Sequence, residues 1–358
     1  MAHVPHQSTP YLRVDLRRLR ANIRDVAERA AVSGVALRPH VKTHKCVEIA
    51  RLQLDAGAVG ITVATVGEAE TFARQGLEDI FVAFPLWLDD VSSRRLRDLL
   101  PTTTLTLGLD SEEGAARAGM LLGNPAEPIR FLVEVDCGQH RSGVLPQDAG
   151  RVAGVAARCG LDVCGVFTFP GHSYAPDHLV GAAVDESEAL REAVESLRAV
   201  GIESEVVSGG STPSLAGADT DVLTELRPGV YVFGDAQQWE LGTMPPDSIA
   251  LTCRSTVVSH AGGRLVLDAG SKALGADRAP YATGWGRLPE HPDARIVLLA
   301  EHHAVVDLGD GQPLPPLGSV VDVVPNHVCN AVNLHDDLYV EDNGELRVWP
   351  VAARGQNS

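Results

Sequence analysis

Two lysines, two histidines and an arginine crowd one short stretch, Arg38-Pro39-His40-Val41-Lys42-Thr43-His44-Lys45, directly after the apolar run Gly34 to Leu37. If Val35 to Val41 is a strand, alternation sends Val35, Leu37, Pro39 and Val41 to one face and Ala36, Arg38, His40 and Lys42 to the other. An amine held inside a barrel loses solvation, its pKa falls, and it becomes a nucleophile able to form a Schiff base with an aldehyde. The competing reading is a basic loop tip.

Four more segments carry groups with chemistry. Ser208-Gly209-Gly210-Ser211-Thr212 follows the apolar Val206-Val207 and offers unobstructed backbone N–H groups with three hydroxyls. Such a loop can cradle a phosphate without cations, although glycine turns are common. Glu134 and Asp136 lie on one face of a strand end, with Arg141 five residues beyond Asp136; a structural salt bridge from Arg141 to either carboxylate is the alternative to a role in binding. Gly171-His172-Ser173-Tyr174 follows the next strand, where His172 and Tyr174 either contact phosphate or substrate or line a surface loop. In Pro325-Asn326-His327-Val328-Cys329-Asn330, residues two apart on an extended segment point the same way, so His327 and Cys329 could grip one soft divalent ion. Two ligands leave positions open for water and substrate, as a catalytic metal needs. A buried cysteine beside a capping histidine is the plainer reading.

These groups need strands to position them. Short β-rich runs (Val59 to Val63, Ile80 to Ala83, Leu105 to Leu109, Phe131 to Val135, Asp162 to Phe167, Ser204 to Val207) alternate with helical patterns such as Val66 to Gln75. Strands separated by helices read as βα units with parallel pairing, and seven or eight of them suit a (β/α)₈ TIM-type barrel with its chemistry at the carboxyl ends of the strands. Lys42, Glu134, Asp136, His172 and Ser208 to Gly210 each follow such a run. After Leu241 come alternating runs with turn signals (Thr252 to Ser259, Arg264 to Asp268, Arg295 to Leu299, Ser319 to Val324, Leu338 to Val340), which read as a second, antiparallel β domain. The expected division is residues 16–240 for the barrel and 241–358 for the β domain, with segment 9–15 joining the latter. Only the first eight and the last five residues read as disordered.

Composition narrows the class. A chain of 358 residues with 44% hydrophobic content can build real cores. Its net charge of −17, from 30 basic against 47 acidic residues, disfavours nucleic acid and anionic membrane as partners. The chain shows no signal-peptide core and no membrane span, so a soluble cytoplasmic enzyme is expected. Six cysteines are too sparse for a disulfide scaffold, and Cys46, Cys137, Cys159, Cys164 and Cys253 read as reduced.

The segment Arg38 to Lys45 resembles the pyridoxal-phosphate lysine motif of the D-serine dehydratase and D-threonine aldolase family, whose fold is shared with alanine racemases (fold-type III). The resemblance runs in order from Thr9-Pro10 to Cys329. It implies that Lys42, not Lys45, carries the cofactor; that Ser208, Gly209, Gly210 and Ser211 form the phosphate loop; that Arg141 lies near the cofactor's phenolic oxygen; and that His172 and Tyr174 belong to the site. Arg227 to Asp235 resembles the arginine-proline-glycine segment of fold-type III enzymes, and Tyr231 there is either a cofactor contact or packed in the barrel wall. D-serine dehydratases carry His-x-Cys for zinc where this chain has His327 and Cys329, whereas the aldolases have His-x-Asp. Glu301-His302-His303 departs from the family's Glu-Glu-His-Gly, so no role carries over to these histidines. Asp268 to Lys272, with Asp277, resembles a β-domain segment that in this fold faces the partner subunit's active site, which implies a homodimer with shared sites. The implied function is a lyase dependent on pyridoxal 5'-phosphate and a divalent metal (zinc first, manganese second), acting on a D-3-hydroxy amino acid. Dehydration to a 2-oxo acid and ammonia is the leading reaction. Retro-aldol cleavage to glycine and an aldehyde is the alternative, disfavoured by Cys329 and by Phe169-Pro170-Gly171 where aldolases have Tyr-His-Gly. A racemase would need a tyrosine base, and a non-catalytic pyridoxal-binding protein would be a lone barrel.

Overall fold

A computed structural model describes residues 7–123 and 129–358, and the chain divides into two compact units. One takes Val26–Lys42, Ala50–Gly229 and Gln356–Ser358; the other takes residues 7–25, Thr43–Ile49 and Val230–Gly355.

The first unit is built on eight parallel strands. Their order is Ala36–Leu37, Glu225–Leu226, Val206–Gly209, Asp162–Thr168, Arg130–Val135, Thr104–Leu109, Asp79–Pro85 and Ile61–Val63. A parallel bridge between His40 and Thr62, with Thr62 N–H donating to the Pro39 carbonyl at 2.9 Å, joins the first strand to the last and closes the barrel. Ile61–Val63 is buried throughout, as are Leu105–Leu109 and Phe131–Val135, because a parallel strand is covered on both faces. Phe81, Leu132, Cys164 and Phe167 pack together, the two rings edge to face at 5.0 Å. Gly165 is required there: at φ +149° a Cβ would lie 1.9 Å from the Val206 carbonyl. Outside the strands run the helices Val66–Ala73, Asp90–Leu99, Glu112–Leu122, Ala149–Arg158 and Leu179–Arg198. Thr65, Asp89 and Ser111 cap the first three through side-chain oxygens.

Two expectations are corrected here. The strand expected over Val35 to Val41 spans only Ala36–Leu37; its ladder continues through Arg38 N–H to Leu226 and His40 N–H to Pro228, and Val41–Thr43 then winds into a 3₁₀ turn. Lys42 therefore sits on the turn that leaves the strand. Of the termini expected to be disordered, the first six residues lie outside the described ones. The last residues are anchored, since the Ser358 carbonyl accepts the Gly67 N–H at 2.9 Å and the Gln356 carbonyl accepts the Thr65 hydroxyl at 2.7 Å.

The second unit holds a nine-stranded sheet. Its main path runs Arg295–Leu299, Ala304–Asp307, Leu265–Leu267, Leu251–Ser259, Tyr11–Asp15, Asp337–Asp342 and Glu345–Pro350, and Val320–Pro325 pairs with Leu251–Ser259 and with Gly286–Arg287. The expected antiparallel pattern holds with one amendment: Tyr11–Asp15 pairs in parallel with Asp337–Asp342. Along Leu251–Ser259 the buried side chains include Leu251, Cys253, Ser255 and Val257, the period of two that a half-covered strand requires. All six cysteines are free thiols.

Candidate active site

In the barrel unit, Phe169 organises the groups singled out from sequence. The Lys42 ammonium stands 5.7 Å from its ring centroid and the Arg141 guanidinium 5.1 Å from it, while the Tyr174 ring lies at 6.4 Å. Cation–π attraction of this kind contributes about 0.5–1 kcal/mol where the groups are exposed. His40, two residues before Lys42, is buried beneath these cations. Burial, followed by the charges of Lys42, Arg227 and Arg141, pushes its pKa well below the ordinary imidazole value. Lys45 lies in the other unit, where its amine donates to Asn333 at 2.8 Å and its carbonyl accepts the Ala353 N–H. Its φ of +50° records the sharp departure of the chain after Thr43.

Glu134 and Asp136 do different things. The Glu134 carboxylate accepts from Ser142 at 3.0 Å and faces Arg141 at 3.7 Å, and burial raises its pKa. Asp136 accepts from the N–H groups of Gly138 and His140, both at 2.9 Å, and from the His140 ring at 2.8 Å. Burial acts to raise its pKa, and these bonds lower it on balance. The salt-bridge reading of Arg141 is thus present in part. It is long and half-exposed, a kind of pair worth about 0–1 kcal/mol, so it leaves the guanidinium available to a ligand.

His172 Nε2 donates to the Asp185 carboxylate at 3.1 Å, and the ring packs against Gly138, whose added Cβ would sit 3.3 Å from it. Ser173, in the same turn, meets Ser211 hydroxyl to hydroxyl at 2.9 Å, so the loops at 171–174 and 208–211 are tied together. The N–H groups of that second loop are less open than the sequence implied. Gly210 N–H donates to Glu186 at 2.7 Å and Ser211 N–H to Ser214 at 2.9 Å, while the Ser208 hydroxyl lies between Glu225 at 2.6 Å and Arg227 at 2.8 Å. Glu186 is not among the candidates read from the sequence. The signal lay in its phase: Ala182, Ala183, Glu186, Ala189, Leu190, Ala193 and Leu197 form the buried stripe of the helix Leu179–Arg198. Arg227, buried over the rings of Phe81 and Phe167, was named only as part of a segment.

In the sheet unit, His327 and Cys329 are neighbours for a reason other than the expected one. The segment is not extended throughout: the strand Val320–Pro325 ends, His327 stands at the helix N-cap position, and Val328–Asn333 is helical. The buried Asp235 fixes this start, accepting the Val328 N–H at 3.1 Å and the Gln238 N–H at 2.9 Å. Burial, opposed by His327, raises Asp235 to about 6. His327 Nδ1 lies 2.6 Å from Asp277 Oδ2, and the Cys329 thiol meets both the His327 ring and Thr43 Oγ1, the latter at 3.3 Å. Thr43 is the residue after Lys42 in the chain. Tyr231 is also in this unit, 2% exposed within the turn Val230–Val232. Asp268 is occupied internally by Ser255, Thr256 and Thr9, whereas Lys272 is exposed and paired with Glu301 at 2.8 Å. His302 and His303 are exposed.

Residues 14–237 match the family described as "Alanine racemase, N-terminal domain" and residues 250–341 that described as "Putative serine dehydratase domain". The chain is 33% identical to D-threo-3-hydroxyaspartate dehydratase of Delftia sp. (strain HT23), over 95% of this chain and 96% of the relative. It is 31% identical to D-threonine aldolase of Arthrobacter sp, over 97% of this chain and 93% of the relative. The chain belongs to the D-serine dehydratase and D-threonine aldolase family of fold-type III pyridoxal-phosphate enzymes. The solved structure of the Delftia enzyme superimposes with a TM-score of 0.89 at 31% identity, covering 96% of this chain and 97% of that one. That enzyme has also been solved with a histidine replaced by alanine and, in a metal-free form, with a cysteine two positions further on replaced. The separation is that of His327 and Cys329.

The residues of this family member fit both groups the family implies. For an anionic aldehyde cofactor, Lys42 and Arg141 converge on Phe169, and the buried Nδ1 of His40 has no hydrogen-bond partner among the described residues. For a divalent cation, an imidazole nitrogen and a thiol sulfur stand together, and beside them the buried Oδ1 of Asp277 likewise lacks a partner. Among the described residues no three His, Cys, Asp or Glu side chains are grouped to enclose an ion, so any ion held here would keep open positions. Among the same residues no helix is long and apolar enough to cross a membrane.

Proposed function

We propose that the protein is a lyase dependent on pyridoxal phosphate and a divalent metal, converting a D-3-hydroxy amino acid to a 2-oxo acid and ammonia. When bound, the cofactor supplies an electron sink next to the substrate amine and the metal a Lewis acid for its β-hydroxyl. Lys42 Nζ would hold the cofactor and would serve as the base for the Cα proton. Ser208, Gly209, Gly210 and Ser211, with His172 and Tyr174, would hold the phosphate end, and Arg141 would supply a positive charge to the cofactor. His327 and Cys329 would be the metal ligands, and Asp277, which meets the His327 ring at Nδ1, would orient it. Water leaves from Cβ, and hydrolysis of the resulting enamine consumes one water, so ammonia is the net loss.

The observation that carries this reading is the thiol of Cys329 beside His327, since sulfur with imidazole favours zinc over magnesium. Incubating D-serine, D-threonine and D-threo-3-hydroxyaspartate with enzyme and added zinc or manganese, and measuring 2-oxo acid against glycine, tests it. Release of glycine and an aldehyde would establish the aldolase reaction instead, which the Arthrobacter relative supports at nearly equal identity.

The functional unit is proposed to be a homodimer with each site completed by the partner's sheet unit, supported by the exposed Lys272–Glu301 pair in the segment that resembles a partner-facing one. Mixing inactive Lys42→Ala and Lys272→Ala variants should restore about a quarter of the sites, because half of the dimers are mixed and each of these has one intact site. No recovery despite demonstrated subunit exchange rules it out.

A further inference from the structure

The helix Leu179–Arg198 presents two adjacent acids to two loops. Asp185 binds the His172 ring at 3.1 Å, and Glu186 Oε1 accepts the Gly210 N–H at 2.7 Å. Glu186 is 1% exposed, and its second oxygen, Oε2, is buried without a partner among the described residues. It lies hard against the loop backbone: a Cβ at Gly209 would sit 2.4 Å from Oε1. Gly210, at φ +83°, adopts the left-handed conformation that turns its N–H toward this carboxyl. An ionised carboxylate in that place would repel an anion on the other side of the same loop, and the hydrogen bond it accepts is available to a neutral carboxyl as well.

We infer that Glu186 is a positioning residue of the anion-binding loop, a protonated strut whose carbonyl oxygen fixes Gly209 and Gly210 and whose retained proton lets the loop accept a phosphate group. The inference rests on the reading of Ser208 to Ser211 as the cofactor's phosphate loop. The charged and titratable groups facing Glu186 are Arg227 after the strand Glu225–Leu226 and Cys137 after the strand Arg130–Val135, with the Asp185–His172 pair alongside. Arg227 favours ionisation, yet burial outweighs it and raises Glu186 to about 7. Loading of a phosphate and protonation of Glu186 are therefore linked, so phosphate affinity falls as pH rises through that range.

The test uses cofactor-stripped protein titrated with pyridoxal phosphate and, separately, with pyridoxal, which lacks the phosphate. Glu186→Gln keeps the acceptor and cannot ionise. It should match wild type near pH 6 and bind pyridoxal phosphate about tenfold more tightly than wild type near pH 8.5, with pyridoxal binding unchanged; comparing variant with wild type at each pH cancels the cofactor's own titration. Glu186→Ala should weaken pyridoxal phosphate about tenfold at both pH values and spare pyridoxal. A Glu186→Gln profile that tracks wild type, or an alanine variant that loses both ligands alike, overturns the inference. Should the alanine variant fail to fold, the glutamine variant still decides. If wild type binds pyridoxal as tightly as pyridoxal phosphate, and inorganic phosphate gives no thermal shift, the loop reading itself falls and this inference with it; discrimination by wild type without any effect at Glu186 removes the inference alone.

Discussion

His40 and His327 are the same side chain in two surroundings, and they are driven in opposite directions. His40, in the barrel unit, is held neutral by burial and by Lys42, Arg227 and Arg141. Its ring donates to the Thr62 carbonyl, which makes Nδ1 the acceptor. His327, in the sheet unit, is also opposed by burial, but Cys329, Asp277 and Asp235 push it up to about 11. The first surroundings are rich in cations, and the second hold a thiol and two carboxyls. In a chain whose net charge is −17, local charge thus departs from the total, as the proposed binding of an anion at the first and a cation at the second requires.

The largest break in the comparison should come from Lys42. Lys42→Ala is expected to lower turnover by about a thousandfold or more, because both cofactor attachment and the proton-accepting amine are lost. Borohydride reduction followed by peptide mapping checks it, and a pyridoxyl label on Lys45 would transfer the role. Next in size is the thiol and carboxyl end: chelation, or Cys329→Ala, should lower turnover about a hundredfold or more and leave the cofactor's visible band largely in place. A band lost together with the metal would show that the two ligands are not held independently. Smaller again is Arg141→Gln, expected to weaken cofactor binding about tenfold by removing one charge-assisted contact, as read by absorbance titration. Unchanged affinity would assign Arg141 to its contacts with Glu134 and Phe169 alone.

Much of this was legible in the sequence where a residue type is rare or a period is strict. The βα alternation revealed the barrel and the period of two revealed the sheet, whereas the choice of Lys42 over Lys45 and the roles given to Arg141, His172 and Tyr174 came from the resemblance. What escaped notice depended on contacts distant in sequence. The strand Glu225–Leu226 is two residues long, too short for any period, and takes its place from its two neighbours in the barrel. The helical turn at Val328 depends on Asp235, 93 residues away, so the local sequence around His327 read as extended. Glu186 was hidden because an acid in an acidic run looks solvated, and only its helical phase places it on the buried stripe.

The smallest expected effect tests the neutral member of the pair by stability alone. The folded pKa of His40 is depressed below its ordinary value of 6.5, so the fold prefers the unprotonated ring. Its contribution is then present above the unfolded pKa and lost as pH falls below about 6.5 toward the folded value, because the unfolded chain takes up the proton first. Glu186, whose folded pKa is raised, runs the other way, losing its contribution as pH climbs from the ordinary carboxyl range toward about 7. Each must therefore be read from its own variant. Thermal denaturation of wild type and His40→Gln, both without cofactor, should show wild type losing a few degrees more than the variant between about pH 7.5 and pH 5. If wild type instead gains on acidification relative to His40→Gln, the ring is protonated and stabilised by a negative partner. The two histidines would then no longer differ in kind, and the cation-rich account of the Lys42 surroundings would fail with them.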